Sequence, residues 1–350
     1  MVIKDSKKIF TFGEIMLRIS PALTGERIAE AKNFIVEPGG SESNVAIALS
    51  LLGNPCAFVT KLPETTLTDK IIKYLKSYSI DTTYLVCRGE YLGLYWTEIG
   101  IGLRPYQVFY DRRYSSFSEI NYEDFDWKRI FKNINWFHVS GISPAVSEKA
   151  FVTVRKILSV IPSNIKISID LNYRSKLWKW IRKKGLSVPS IMRNICKHAY
   201  FIAGNELDFH NALGMGTGKE KTIDSYKRVA LQCFEYFHNL KYIAVSLRES
   251  ITASENNWSG LLFVSKKGKI ATFKGPEFKI NNIIDRVGTG DSFTAGVIHG
   301  IINYGKTPQH IINFAVGLSA LNHTVRGDAS QFTVEDVERV LQDPSGKIIR

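Results

Sequence analysis

The run Asp285-Arg-Val-Gly-Thr-Gly-Asp291-Ser-Phe-Thr-Ala-Gly296 combines two glycines, a carboxylate and the start of a small, apolar stretch. Gly288 and Gly290 permit a tight turn that exposes backbone N–H groups. The residues after them suit a buried helix, so Asp291 stands where that helix begins. The first N–H groups of a helix lack internal partners and carry partial positive charge, which makes such a turn an anion site. A carboxylate beside an anion is out of place in general. It has a use if the anion is a phosphoryl group in transit and the carboxylate takes the proton of the attacking hydroxyl. The plainer reading is a glycine turn with Asp291 as an ordinary helix-start residue.

Four further clusters bear on this choice. Gly39-Gly40-Ser-Glu-Ser-Asn44 precedes a small-residue helix. The glycine pair suits close backbone approach to a ligand, and Asn44 offers donor and acceptor to a sugar hydroxyl. Asp170-Leu-Asn172-Tyr-Arg174 follows an apolar strand, the place where open α/β sheets bind ligands. Arg174 suits a carboxylate, and Tyr110-Asp-Arg112 offers a second cation. Asn205-Glu-Leu-Asp208 also follows a strand and has the oxygen ligands to hold water around Mg²⁺. Asn313 to Thr324, which includes Ala320 and His323, suits an apolar slot for an adenine ring. Each cluster has a structural alternative: a packed helix for Asn44, surface salt bridges for the arginines, a helix cap for Asn205, a core helix for the last.

These residues need a scaffold, and the apolar pattern supplies one. Strands are expected at Ile9–Ile19, Cys56–Thr60, Trp136–Val139, Ile165–Asp170, Tyr200–Ala203, Tyr242–Leu247 and Leu261–Val264. Helices are expected at Ser43–Leu52, Leu67–Tyr78, Glu148–Val160, Ile223–Phe237, Asp291–Tyr304, Gln309–Thr324 and Val334–Leu341. This alternation argues for an α/β fold, a mainly parallel sheet with helices on both faces. Two aromatic stretches, about 26–37 and 91–118, break the rhythm and read as a small antiparallel sheet serving as a lid, a dimer contact, or both. The expected organisation is one domain over 1–350 with that lid.

Bulk composition narrows the class. Hydrophobic residues make up 44% of the 350, and charged residues 23%, which suits a globular core. No stretch has the length and apolarity of a membrane span. Cys56, Cys87, Cys196 and Cys233 are scattered, which suits reduced thiols in the cytoplasm, and the N-terminal stretch reads without a signal peptide. The net charge of +13 invites a nucleic-acid partner, but lysines and arginines are dispersed and no recognition motif accompanies them. A basic surface that favours small anions is the better reading.

Taken together and in order, these motifs resemble the PfkB, or ribokinase-like, family of carbohydrate kinases, from Phe12-Gly-Glu14 to about Val340. Within it the likeness is to the 2-keto-3-deoxygluconate kinases, carried by Gly13–Arg18, Gly39–Asn44, Gly93-Leu-Tyr95, Val108–Arg112, Asp170–Arg174 and Asn322–Asp328. The resemblance implies a three-layer α/β/α domain with a β-sheet lid. It implies ATP-dependent phosphorylation of 2-keto-3-deoxy-D-gluconate at the 6-hydroxyl. Asp291 would be the general base, with the N–H groups of the Gly288-Thr289-Gly290-Asp291 turn as anion hole. Glu14, Gly39, Gly40, Asn44, Tyr95, Tyr110, Arg112, Asn172 and Arg174 would line the sugar-acid site. Asn205, Ser246, Arg248, Asn313, Ala320 and His323 would lie by the nucleotide, and Asn205 and Asp208 would hold Mg²⁺ through water. A monovalent cation such as K⁺ is an open expectation for the loop beginning at Asp285, and a homodimer through the lid is another. Departures are Asp208 where the family has Glu, Lys61-Leu-Pro63 where it often has glycines, Thr289 where it has Ala, and Leu247–Ser250 in place of a glycine-rich nucleotide loop. A fructokinase or other neutral-sugar kinase is the alternative of the same fold. A non-catalytic sugar- or nucleic-acid-binding regulator is the alternative of another class.

Overall fold

A computed structural model describes residues 7–216, 218, 222–266 and 268–346. The N-terminal stretch read for a signal peptide lies mostly outside the described residues, as does Lys267 of one basic pair. The chain enters through β1 (Lys8–Phe12), then leaves for a second sheet as β2 (Met16–Pro21) and β3 (Phe34–Gly39). It returns through α1 (Ser41–Leu51), β4 (Cys56–Leu62), α2 (Thr66–Ser77) and β5 (Leu85–Cys87). The second sheet is completed by β6 (Leu94–Glu98) and β7 (Gln107–Asp111). Strands and helices then alternate: α3 (Trp127–Lys132), β8 (Ile134–Ser140), α4 (Ile142–Val146), α5 (Glu148–Val160), β9 (Lys166–Asp170), α6 (Val188–Cys196), β10 (Phe201–Gly204), α7 (Glu206–Leu213), α8 (Ile223–Tyr236) and β11 (Tyr242–Thr252). Last come β12 (Glu255–Lys266), β13 (Lys269–Lys274), β14 (Phe278–Ile280), α9 (Thr289–Asn303), α10 (Pro308–Asn322) and α11 (Val334–Gln342).

The main sheet has ten strands, in the order β13-β12-β11-β10-β9-β8-β1-β4-β5, with β14 paired to β12. From β11 to β5 every pairing is parallel; β12 to β14 are antiparallel. Neighbours along a strand point to opposite faces, and here both faces are covered. Phe10, Phe137 and Ile202 join one core, while Ile9, Trp136 and Phe201 join the other. Against the second core lie α1, α9 and α10. The small residues after Asp291 have their reason there: a Cβ on Gly296 would meet the Ala315 Cα at 2.6 Å.

Several local expectations are corrected. Ile9–Ile19 is two strands in two sheets, because the chain must turn at Gly13, where a Cβ would sit 2.1 Å from the Glu42 carboxylate. Apolar residues run through both halves, so the pattern hides the break. The second sheet has the order β3-β2-β6-β7, drawing on 16–21 as well as the two aromatic stretches. It is mixed, since β2 and β6 pair parallel. The helix after the glycine turn starts at Thr289 rather than Asp291. The helix α6 and the strands β5, β13 and β14 escaped the periodicity reading.

The second sheet has two unlike faces. Glu37, Arg18, Tyr95 and Tyr110 stand in register across its four strands, and so do Val36, Ile19, Trp96 and Phe109. Arg18 and Tyr95 of the first row are buried. Val36 and Phe109 of the second are exposed.

Candidate active site

The glycine turn forms as its sequence requires. Gly288 caps α9 with φ at 79°, a left-handed conformation that suits glycine. A Cβ there would also lie 1.7 Å from the Asp328 carbonyl oxygen. The Thr289 hydroxyl donates to the Arg286 carbonyl at 3.0 Å and so fastens the turn from within. The first helical N–H groups, of Thr289, Gly290 and Asp291, have no acceptor among the described residues, while that of Ser292 reaches the Gly288 carbonyl. Gly290 is exposed, and a Cβ there would meet nothing within 4 Å. A methyl group at Gly290 would therefore occupy anion space without disturbing the protein. Gly290→Ala is expected to keep its melting temperature and lose about tenfold in turnover, somewhat less than deleting one anion-hole donor outright. Thermal melting and steady-state rates check this together.

Asp291 lies in the third helical position, 7% exposed. The Ser41 hydroxyl donates to its Oδ1 at 2.7 Å and the Asn44 amide to its Oδ2 at 2.8 Å. Asn172 in turn donates to Ser41 Oγ at 3.0 Å, from a backbone with φ at 37°. Three elements, α1, the end of β9 and α9, thus converge on one carboxylate. Burial pushes the Asp291 carboxyl up to about 6; the Asn44 and Ser41 hydrogen bonds oppose the shift, and the Asp328 and Glu42 charges add to it. A carboxylate with that affinity is suited to accept a proton near neutral pH. Asp170 is near as well, and its own carboxyl is raised by burial and then by Asp291 and Asp208.

The glycine pair is also packed closely against the protein. A Cβ on Gly39 would sit 2.1 Å from the Tyr95 hydroxyl, and one on Gly40 2.2 Å from the Glu14 carbonyl. Here the close approach is by the protein itself, Gly39 being met by Tyr95 of β6 and Gly40 by the segment between β1 and β2. Tyr95 is buried and its hydroxyl donates to Asp328 at 2.5 Å, so that hydroxyl is already engaged. Tyr110 is half exposed and stacks on Tyr95, with ring centroids 6.0 Å apart. Arg112 is buried and paired with Glu14, which also accepts from Ser115 Oγ at 2.5 Å. The Arg112 Nε has no partner among the described residues.

At the strand ends Arg174 is exposed; its side chain's only hydrogen bond among the described residues goes to the carbonyl of Tyr173. Arg248, on β11, is pulled below its usual value by burial and then by Arg174. Arg286 is affected by burial and then by Arg248, and donates to the carbonyls of Thr252 and Ala253 at 2.7 Å. Three guanidinium groups therefore line one rim, with Asp208 and Asp170 as electrostatic neighbours but no ion pair to a carboxylate among the described residues, an arrangement that leaves their donors open to an anion. Ser246 precedes Arg248 on the same strand.

Asn205 and Asp208 form a helix cap: Asp208 N–H donates to Asn205 Oδ1, and Asn205 N–H to Asp208 Oδ2, each at 3.0 Å. Asp208 Oδ1 accepts from the Tyr173 N–H at 3.0 Å. Each carboxylate oxygen keeps a second lone pair, which suits contact with a hydrated ion rather than direct ligation. The adenine slot fares worse. His323 is fully buried at 0% exposure, edge-on to Trp258, with Nδ1 on the Ser319 carbonyl at 2.8 Å. Ala320 is buried too, so α10 is a core helix at these positions. Asn313, half-buried on the same helix, accepts from Gln309.

Sequence reading passed over Ser41, although it stands in the Gly39–Asn44 motif. It had Arg18 and Asp328 only as ends of family-like motifs and Asp285 only as the start of a loop, without joining them. Arg18 Nη2 meets Asp285 at 2.5 Å and Nη1 meets Asp328 at 2.6 Å, all three buried. Glu42 is buried as well and accepts from Ser140 N–H, Ser140 Oγ and Ser143 Oγ, tying α1 to the end of β8.

The profile of the pfkB family carbohydrate kinases matches residues 6–247 and 255–334. A Haloferax volcanii protein named 2-dehydro-3-deoxygalactonokinase is 28% identical over 98% of this chain and 99% of its own length. The crystal structure of a 2-dehydro-3-deoxygluconokinase from Thermotoga maritima is 34% identical, covers 96% of this chain and 98% of that one, and superposes with a TM-score of 0.88. A probable fructokinase of Arabidopsis thaliana is 24% identical over 91% of this chain and 86% of its own length.

Proposed function

We propose a substrate and a mechanism from one premise: this chain belongs to the pfkB family of carbohydrate kinases. It is a sugar kinase with a ribokinase-like fold, close to the kinases of 2-keto-3-deoxy sugar acids. The non-catalytic reading falls with that assignment. Our reading of its substrate is 2-keto-3-deoxy-D-gluconate, phosphorylated by ATP at the 6-hydroxyl to give the 6-phosphate and ADP. The observation that carries this is Arg174, an exposed guanidinium at the end of β9 that feels the charges of Asp170 and Asp208 yet is in ion-pair contact with no carboxylate among the described residues. A sugar acid supplies the missing carboxylate, and a neutral sugar does not.

In this mechanism Arg174 holds the substrate carboxylate, and Tyr110 and Arg112 close over it from the second sheet. Asn172 and Ser41 fix Asp291, which accepts the proton of the 6-hydroxyl as that oxygen attacks the γ-phosphorus. The free N–H groups of Thr289, Gly290 and Asp291 stabilise charge on the transferring group, as preorganised donors do. Arg248 and Arg286 face the anionic end of the nucleotide. Asn205 and Asp208 would hold Mg²⁺ through water, where it would supply positive charge against the phosphates. Asp208→Asn is expected to raise the Mg²⁺ concentration for half-maximal turnover about tenfold, the scale of a lost outer-shell partner, with the sugar-acid KM unchanged. A Mg²⁺ titration at saturating ATP reads this. The outward apolar row of the second sheet supports a homodimer, and Phe109→Asp should then sediment as a monomer where the wild type does not.

Two-dimensional NMR of the product, with ADP release measured in parallel, tests the reaction. The reading requires phosphorus coupled to the C6 protons; coupling at another carbon, or ADP release only with ketoses, counts against it. One observation favours a neutral-sugar kinase: Arg112 is already paired with Glu14.

A further inference from the structure

The loop beginning at Asp285 is where a monovalent cation was expected, and its residues do not fit one. Asp285 Oδ1 accepts from the Tyr106 hydroxyl at 2.7 Å and the Val287 N–H at 3.1 Å. Asp285 Oδ2 accepts from Arg18 at 2.5 Å and the Gly327 N–H at 3.3 Å. Asp328 Oδ1 accepts from Arg18 at 2.6 Å, and Oδ2 from Tyr95 at 2.5 Å. All four carboxylate oxygens are therefore engaged by donors of the protein. The Arg18 guanidinium uses its remaining edge on Thr97 Oγ1, at 3.0 Å, and on the Tyr106 hydroxyl, also at 3.0 Å. Both lone pairs of each Asp285 oxygen are thus taken, and the Arg18 guanidinium already supplies the positive charge between the two carboxylates.

We infer that Arg18 is an internal, non-dissociable cation that takes the place of a monovalent ion behind the anion turn, and that turnover is consequently independent of monovalent cations. The inference rests on the kinase reading above. Arg18 is buried, with its guanidinium engaged by Asp285, Asp328, Thr97 and Tyr106, and acts through the loop, so it is a positioning residue. Asp285 carries its effect by holding the Val287 N–H, one residue before Gly288. Asp328 carries it through its carbonyl, which abuts Gly288 so closely that no Cβ fits between them. Arg18 lies on β2 between Glu37 and Tyr95, so the charge that fixes the turn is delivered by the second sheet. A guanidinium suits this place because it does not lose its proton and presents its donors in a fixed fork.

The first test uses the wild-type protein in tetramethylammonium, sodium and potassium chloride at one ionic strength. The expected change in kcat is less than about twofold, the signature of negligible coupling between ion and turnover. Stimulation by potassium of about tenfold or more would overturn the inference. The second test is Arg18→Ala, expected to lose roughly a hundredfold in kcat, with little change in the sugar-acid KM, as a misplaced anion turn would. Millimolar guanidinium or potassium should restore part of that loss. A folded Arg18→Ala protein with wild-type kcat, or one that neither ion improves, contradicts the role. Should that variant not fold, Arg18→Lys keeps one charge, and guanidinium is expected to stimulate it but not the wild type; equal responses contradict the role. A wild type with no ATP turnover in any salt would sink the kinase reading instead.

Discussion

Asp291→Asn is expected to lower kcat about 10²–10⁴-fold, the contribution of a positioned general base, while the protein folds and binds both substrates. The exchange is nearly isosteric. An amide at this position accepts from Asn44 and donates to Ser41 Oγ, so the hydrogen bonds of the site survive with altered polarity. Only the capacity to take a proton is lost. The wild-type pH profile carries a matching signature. With its carboxyl pushed up to about 6, Asp291 must be ionised to act, so kcat/KM for the sugar acid should fall about tenfold per unit below that pH. The sign for stability is opposite. The folded state raises this carboxyl from 3.8 to about 6 and so prefers it neutral; the associated stability is present below 3.8 and lost as pH rises through about 6. Asp291→Asn escapes that loss. It is therefore expected to be more stable than wild type at pH 8, by an amount on the order of 1–3 kcal/mol, and to lose the advantage near pH 4. A variant with full turnover, or one less stable at every pH, would contradict the assignment.

Arg174→Ala is expected to raise KM for 2-keto-3-deoxygluconate about tenfold to a hundredfold, the cost of a hydrogen bond to a charged group. Its KM for a neutral ketose should change by less than about twofold, since no charged bond is lost there. The contrast is informative because the Arg174 side chain is exposed and hydrogen-bonded only to the carbonyl beside it among the described residues, so its removal is expected to leave the fold intact. Arg112 makes a less clean probe. Removing it would leave Glu14 buried without its partner and confound binding with folding. Steady-state kinetics on both substrates with the same preparation give the comparison.

How much of this was visible in the sequence depends on range. Asp291, Gly288 and Gly290 were legible because turn, cap and helix start lie in one short segment, and glycine chemistry is local. Asn172 and Arg174 were legible as residues just past a strand. The Arg18 network was not, because its partners Asp285 and Asp328 lie 267 and 310 positions away and no local pattern joins them. Ser41 was hidden for a related reason: its partners Asp291 and Asn172 come from other elements. The main sheet was legible from its apolar runs, but β2 was merged with β1 because apolar residues continue across the point where the chain changes sheets. Burial of His323 against Trp258 is a tertiary fact that the small-residue pattern of α10 does not encode.

The central claim, a kinase for a 2-keto-3-deoxy sugar acid, is tested most directly by one ratio. It is kcat/KM for 2-keto-3-deoxygluconate against kcat/KM for fructose, measured with ATP and Mg²⁺ in the same preparation. The Arg174 rim leads to a preference for the acid of at least about a hundredfold, the discrimination a site built for a charged group achieves. Equal values, or a preference for fructose, would contradict it.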